Sequence, residues 1–264
     1  MPYKTFKQSL KNTYMDRLDF FYRLFTHQND LPPWSLRHFV GGANDFQQIG
    51  AAFLQELKRY GLLKKDLNIL DIGCGCGRMA YHLEKDEEAK AMNLRYTGMD
   101  IDRRCIAWCN RHIAARNASF RFFHANIHSV TYNPHGSVNE NEYRFPFDDA
   151  PFDLIIMTSV YTHLLEQAMQ NYLKECARLL RKDAILYATF FTYKDEQEAR
   201  ESSSHRPLIF PCYKGRMAFA SETFPEAAVA YQIDGLRETF ASCGLIEERA
   251  PLFGYQDFFF LKRI

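Results

Sequence analysis

Three glycines alternate with cysteines in Asp71-Ile72-Gly73-Cys74-Gly75-Cys76-Gly77-Arg78, directly after the apolar run Asn68-Ile69-Leu70. Glycine weakens both a strand and a helix, so its use at every second position between the two needs a reason. Without Cβ atoms, Gly73, Gly75 and Gly77 can turn sharply, bring main-chain N–H groups against a ligand and let the next helix aim its positive end there. A carboxylate or a phosphate suits such a cradle. A second acid, Asp100, closes the apolar run from Arg95 about twenty residues on, where a strand-end carboxylate hydrogen-bonds the hydroxyls of a ribose. Its competing role is to cap the following helix, and Asp100 and Asp102 can hold the two roles separately. The third chemical group is His163, a few residues past the apolar run Phe152 to Tyr161. Its imidazole titrates near neutrality and can take a proton, or it can cap or pack the start of the next helix; the sequence favours neither.

The spacing separates two kinds of nucleotide loop. A dinucleotide fingerprint reads Gly-x-Gly-x-x-Gly, whereas here Gly77 comes one position early and Arg78 stands where the last glycine belongs. A nicotinamide-dependent oxidoreductase is therefore disfavoured.

The elements that must hold these groups follow from periodicity. Phe6, Leu10, Tyr14, Leu18, Phe21, Tyr22 and Phe25 recur at three- and four-residue steps, predicting a helix within 3–28 that packs over the main domain. It ends before Leu31-Pro32-Pro33. Trp34 to Gly42 reads as a loop, either a lid over a ligand or an ordinary turn, and Asp45 to Tyr60 as a second helix capped by Asn44 or Asp45. Strands are predicted at 67–72, 95–101, 119–127, 152–161 and 184–191, with helices after the glycine loop, over 103–116 and up to Leu180. Residues 128–151 form a long polar connection, a length that points to function or mobility. From Tyr193 to Tyr231 periodicity lapses into loops and turns; a helix over 234–243 and two closing strands follow, the last antiparallel at or near an edge. The fold class is α/β, a doubly wound, mostly parallel seven-stranded sheet. Residues 1–60 form a helical cap, and 61–264 the main domain with 193–231 inserted on its acceptor side.

Composition bounds the partners. The chain has 264 residues, 33 Lys plus Arg and 32 Asp plus Glu, which gives no electrostatic case for nucleic acid or for an anionic membrane. The seven cysteines are odd in number and form no Cys-x-x-Cys, so neither a disulfide framework nor a zinc site is expected. Cys105 and Cys109 read as packing thiols, and Asp148 and Asp149 as solvated turn acids rather than metal ligands. With no apolar N-terminal core or spanning segment, the expected compartment is the cytoplasm.

The Asp-x-Gly-x-Gly-x-Gly loop resembles the first motif of the class I S-adenosylmethionine-dependent methyltransferases. The phrase Phe-Asp-Leu-Ile-Ile-Met-Thr-Ser-Val-Tyr-Thr-His-Leu from Phe152, with Tyr-Leu-Lys-Glu-Cys-Ala-Arg-Leu-Leu-Arg-Lys-Asp-Ala-Ile-Leu from Tyr172, resembles their fourth-strand, helix and fifth-strand segments. The resemblance covers residues 67 to about 192, and the phrases Phe-Val-Gly-Gly, Tyr-Arg-Phe-Pro and Pro225 to Tyr231 look like a bacterial group acting on small molecules. It implies S-adenosyl-L-methionine as cofactor, held by Asp71, Gly73, Gly75, Gly77, Arg78, Asp100, Ile101, Asn126, Ile127 and Thr158. Asn126 stands where the class usually has Asp, and its amide oxygen can still accept from the adenine amine. The implied activity is methyl transfer to an oxygen or nitrogen of a small-molecule or glycan-type acceptor, with His163 and Tyr161 as catalytic candidates and His38 and His205 as weaker rivals. A cofactor-binding module without catalysis, acting through a protein partner, is the alternative.

Overall fold

The computed structural model describes residues 6–40, 45–203 and 205–264. Helices α1 (Phe6–Phe25), α2 (Trp34–Phe39) and α3 (Phe46–Arg59) precede strand β1 (Asn68–Ile72). Then come α4 (Arg78–Lys85), α5 (Glu87–Ala91), β2 (Arg95–Asp100), α6 (Arg103–Cys109), β3 (Phe120–His124), β4 (Phe152–Met157), α7 (Glu166–Leu179) and β5 (Leu180–Tyr193). The chain closes with α8 (Glu196–Arg200), β6 (Cys212–Lys214), β7 (Met217–Phe219), β8 (Val229–Gln232), α9 (Ile233–Ser242), β9 (Leu245–Glu247) and β10 (Asp257–Arg263). It divides into two compact units, residues 2–67 with 74–125, and residues 68–73 with 126–264.

In the first unit, the buried carboxylate of Asp19 on α1 accepts from Arg23 Nε at 2.7 Å, from the Trp34 N–H at 3.1 Å and from Arg37. Asp16, one turn earlier, accepts from the Ser35 N–H at 2.7 Å. These acids take the N–H groups that a short helix leaves unpaired at its start. That is why Trp34–Phe39 is helical where the sequence predicts a loop, with Pro33 preset at φ −54° in front of it. Asn44 and the glycines Gly41 and Gly42 lie outside the described residues, and Asp45 makes no side-chain cap bond. Strands β2 and β3 pair in parallel, Tyr96 to Asp100 against Phe120 to His124. Helix α6 passes into a π-helix over Asn110–Ala114 rather than running on to Arg116.

In the second unit, β1, β4 and β5 run parallel, and Leu154 to Met157 are buried as expected for a strand covered on both faces. Strand β10 is antiparallel to β5 from Asp257 against Phe190 to Lys262 against Ile185, and β9 is antiparallel to β10. The last residues of β5 pair in parallel with β8, which carries the antiparallel strands β7 and β6. Residues 193–231 are thus not the loops and turns that the sequence suggests. Among the described residues they hold a helix and the strands β6 to β8, and their Tyr193, Ala199, Phe210, Ala218 and Ala230 form a small core with Phe191 of β5. Strands of three or four residues are too short for a two-residue period to register.

The connection 128–151 is fastened at its far end. Arg178 of α7 donates to the carbonyls of Phe145 and Phe147 at 3.1 and 2.9 Å and to Asp149 at 2.8 Å, while Glu175 accepts from the Phe145 N–H. The pull of Arg178 outweighs the small effect of burial and holds the Asp149 carboxyl below its ordinary range.

Candidate active site

The glycine loop of the first unit has the geometry its sequence requires. Gly75 and Gly77 adopt φ of +54° and +77°, a region open to glycine and strained for other residues. A Cβ at Gly75 would come 2.6 Å from Val40 Cγ1, and one at Gly77 2.7 Å from Ile113 Cδ1. The loop is tied down on both sides. Cys74 N–H donates to the Met99 carbonyl at 3.1 Å, and the thiols of Cys74 and Cys109 both lie 3.7 Å from the Gly75 carbonyl as packing groups.

Of the two acids at the end of β2, Asp102 takes the helix-capping role. Asp102 caps α6, accepting from the N–H groups of Arg104 at 2.8 Å and Cys105 at 3.4 Å. Asp100 instead accepts from the Gly75 N–H at 2.7 Å with one oxygen and from the Asp102 N–H at 2.8 Å with the other. Burial pushes the Asp100 carboxyl up to about 6 against the pull of these main-chain donors. At neutral pH it is an anion with acceptor capacity left on both oxygens. Ile101 follows, its carbonyl 3.2 Å from His124 Nε2. The Arg78 guanidinium lies over the Phe53 ring at 5.8 Å. A loop stripped of side chains beside a half-desolvated carboxylate fits a ligand with a small charged tail and a diol.

In the second unit, Asp71 is buried opposite Ile156, and Gly73 at φ +77° faces Val160, whose Cγ2 would lie 2.3 Å from an added Cβ. Asn126 is exposed and donates through Nδ2 to Ser137 Oγ at 2.8 Å, which leaves its amide oxygen to accept. Ile127 is buried and Thr158 half-buried. Tyr161 is wholly buried: its ring stacks on Phe190 with centroids 4.5 Å apart, and its hydroxyl faces Cys176 Sγ at 3.8 Å. Burial raises its phenol well above the ordinary value, which makes it a packing group.

The tyrosine beside His163 is Tyr132, which the sequence does not single out. The Tyr132 hydroxyl lies 3.2 Å from His163 Nε2, and His163 Nδ1 lies 2.9 Å from the Glu226 carbonyl. A carbonyl can only accept, so Nδ1 carries the hydrogen and Nε2 is left to accept from the phenol. Burial lowers the imidazole's pKa from 6.5, opposed by the main chain of Glu226 and Ala227. Close by, burial and then the charge of Glu226 push the Glu140 carboxyl up to about 7. The signal that could have found Tyr132 is the unusual length of its connection. His38 stacks on Trp34 with centroids 4.5 Å apart.

A family model described as a methyltransferase domain matches residues 69–183. Among solved structures, a protein of Pyrococcus horikoshii OT3 is 16% identical with a TM-score of 0.56, over 81% of this chain and 91% of its own. A SAM-dependent methyltransferase from Aquifex aeolicus is 15% identical with a TM-score of 0.51, over 89% and 100%. At such identities the likeness speaks for the fold, the Rossmann-like α/β arrangement with a central, mostly parallel sheet. No described helix is long and apolar enough to cross a membrane.

Proposed function

We infer that this chain, a class I S-adenosylmethionine-dependent methyltransferase, moves the methyl group of its donor to an oxygen or nitrogen of a small-molecule or glycan-type acceptor. The observation that carries the donor side is the Gly75 N–H held on the Asp100 carboxylate at 2.7 Å within a loop of positive φ. In this reading the main chain of Gly73, Gly75 and Gly77 and the start of α4 at Arg78 receive the donor's amino-acid tail. Asp100 accepts from the ribose hydroxyls, Ile101 and Ile127 flank the adenine, and Asn126 accepts from its amine; Asp71 and Thr158 complete the binding set.

When bound, the donor supplies an electrophilic methyl group on a sulfonium. The chain's own work is to hold the acceptor atom on the axis opposite the leaving sulfur and to exclude water. We assign the exclusion to the cap, residues 1–60, and to 193–231. Support for the cap comes from Val40, which lies against Gly75 so closely that a single methyl there would collide. His163, held as the Nδ1–H tautomer, is our candidate for removing a proton from the acceptor. The chain has seven cysteines and no disulfide joins any two of them, which fits a reducing compartment, and we place the enzyme in the cytoplasm.

Isothermal titration with S-adenosylhomocysteine and with NAD tests the donor. Saturable binding of the first and none of the second is expected; the reverse would make the chain a nicotinamide protein.

A further inference from the structure

His163 has both ring nitrogens engaged: Nδ1 on the Glu226 carbonyl at 2.9 Å, Nε2 facing the Tyr132 hydroxyl at 3.2 Å, with the two rings edge to face at 5.2 Å. A molecule arriving at this histidine meets a phenol on the one nitrogen that can take a proton. Tyr132 is half-buried, in the stretch of the 128–151 connection ahead of the part that Arg178 fastens. Its oxygen donates to Nε2 and keeps lone pairs that can accept from another hydroxyl.

We propose that Tyr132 is the catalytic residue that meets the acceptor, that His163 acts through it as a positioning and proton-holding residue, and that the acceptor atom is the oxygen of an alcohol or phenol. This rests on the methyltransferase reading. A neutral amine already presents the lone pair that attacks, whereas a hydroxyl must shed a proton, and a phenol–imidazole–carbonyl chain is a device for receiving one. The acceptor oxygen forms the new C–O bond as the methyl carbon leaves sulfur, which keeps the bonding pair. The acceptor's proton passes to the Tyr132 oxygen while the tyrosine's own proton moves to His163 Nε2. An ether, a neutral thioether, an intact phenol and an imidazolium result, and the positive charge lost from sulfur ends on the imidazole.

The titratable group facing the imidazole is Tyr132 from the connection; Glu226, in the turn Pro225–Ala227, meets it through its main-chain carbonyl, while its carboxylate acts on Glu140. The imidazole titrates below 6.5. Once protonated, Nε2 can accept nothing, so turnover falls as pH drops through that range and is level above it.

The test has two readouts on the whole chain. Long-range proton–nitrogen NMR of histidine-labelled protein is expected to show His163 as the Nδ1–H tautomer, with its Nε2 resonance moved in Tyr132→Phe. The Nε2–H tautomer, or no movement, overturns the proposal, and the tautomer decides even if the variant does not fold. Second, donor tritiated in its methyl group is offered with a panel of alcohols, phenols, monosaccharides and amines. Label is expected on hydroxyl compounds alone, with Tyr132→Phe slower by about 10²-fold or more, the acid limb of its rate at saturating donor gone and its affinity for S-adenosylhomocysteine unchanged. Label on amines only, or on no hydroxyl while S-adenosylhomocysteine binds, overturns the proposal and leaves the donor reading standing; failure to bind S-adenosylhomocysteine removes the donor reading itself.

Discussion

The residues assigned to the donor and those assigned to the acceptor reach their geometry by different routes. Gly75 and Asp100 are 25 residues apart, on the loop and the strand end that one turn of α/β winding brings side by side, and one partner is only a main-chain N–H. Tyr132 and His163 are 31 residues apart, and His163 and Glu226 63 apart, in three segments with no common pattern. A cofactor that is always the same can be met by backbone, so the cradle proposed for it is written as glycines and one carboxylate. An acceptor that differs between enzymes is met by side chains on connections, where loop variation is cheap and spacing carries no signature.

The largest effect that would break this contrast lies at Asp100. Asp100→Ala should abolish measurable S-adenosylhomocysteine binding in calorimetry while the circular dichroism spectrum is kept, because two charge-assisted hydrogen bonds of about 1.5–3 kcal/mol each are lost. Micromolar affinity in the variant would take Asp100 out of the donor site. The same carboxyl gives a pH signature. With its pKa raised to about 6, Asp100 is protonated below that value and loses its anionic acceptance, so affinity should weaken by up to about tenfold per unit of pH below 6. In Asp100→Asn that slope should vanish.

On the acceptor side the counterpart is His163→Ala. It should leave donor affinity unchanged and lower turnover by about 10²–10⁴-fold. An equal loss in both quantities would mean that the two sides are not separable, and an unchanged rate would leave His163 a packing residue.

Two glycines sharpen the contrast further. Gly75 and Gly215 share a positive φ, +54° and +63°, but only a Cβ at Gly75 meets a neighbour. Gly75→Ala should destabilise the chain by about 1–3 kcal/mol in urea unfolding and weaken donor binding severalfold or more. Gly215→Ala should cost about 1 kcal/mol of stability and leave donor affinity alone. Equal effects on binding would deny the loop its special role. The smallest expected change is at exposed Asn126: Asn126→Ala removes one neutral hydrogen bond, about 1 kcal/mol, and should weaken the donor about fivefold in the same titration.

These contrasts explain what the sequence could and could not reveal. Strands β1 to β5 and helices α4, α6 and α7 were legible because buried parallel strands are apolar runs and the helices between them are amphipathic, whereas the five residues of α5 are too few to show a helical period. That one of the two acids at the strand end caps the next helix was also legible, whereas the hold of Asp100 on the Gly75 N–H was not, because a main-chain donor leaves no mark in the sequence. Trp34–Phe39 was not, because its helix is held by Asp16 and Asp19, acids from a distant turn of α1. Strands β6 to β8 were hidden by their brevity. Tyr161 drew notice by adjacency in sequence, yet it stacks in the core, and the phenol beside His163 comes from a connection whose residue types announce nothing.

A crystal structure of the chain grown with S-adenosylhomocysteine measures the central claim directly. The account predicts ribose hydroxyls about 2.5–3.0 Å from the Asp100 carboxylate and the amino-acid tail against the main chain of Gly75 and Gly77. The ligand bound elsewhere or absent, with protein atoms against the Asp100 carboxylate where the ribose belongs, would contradict it.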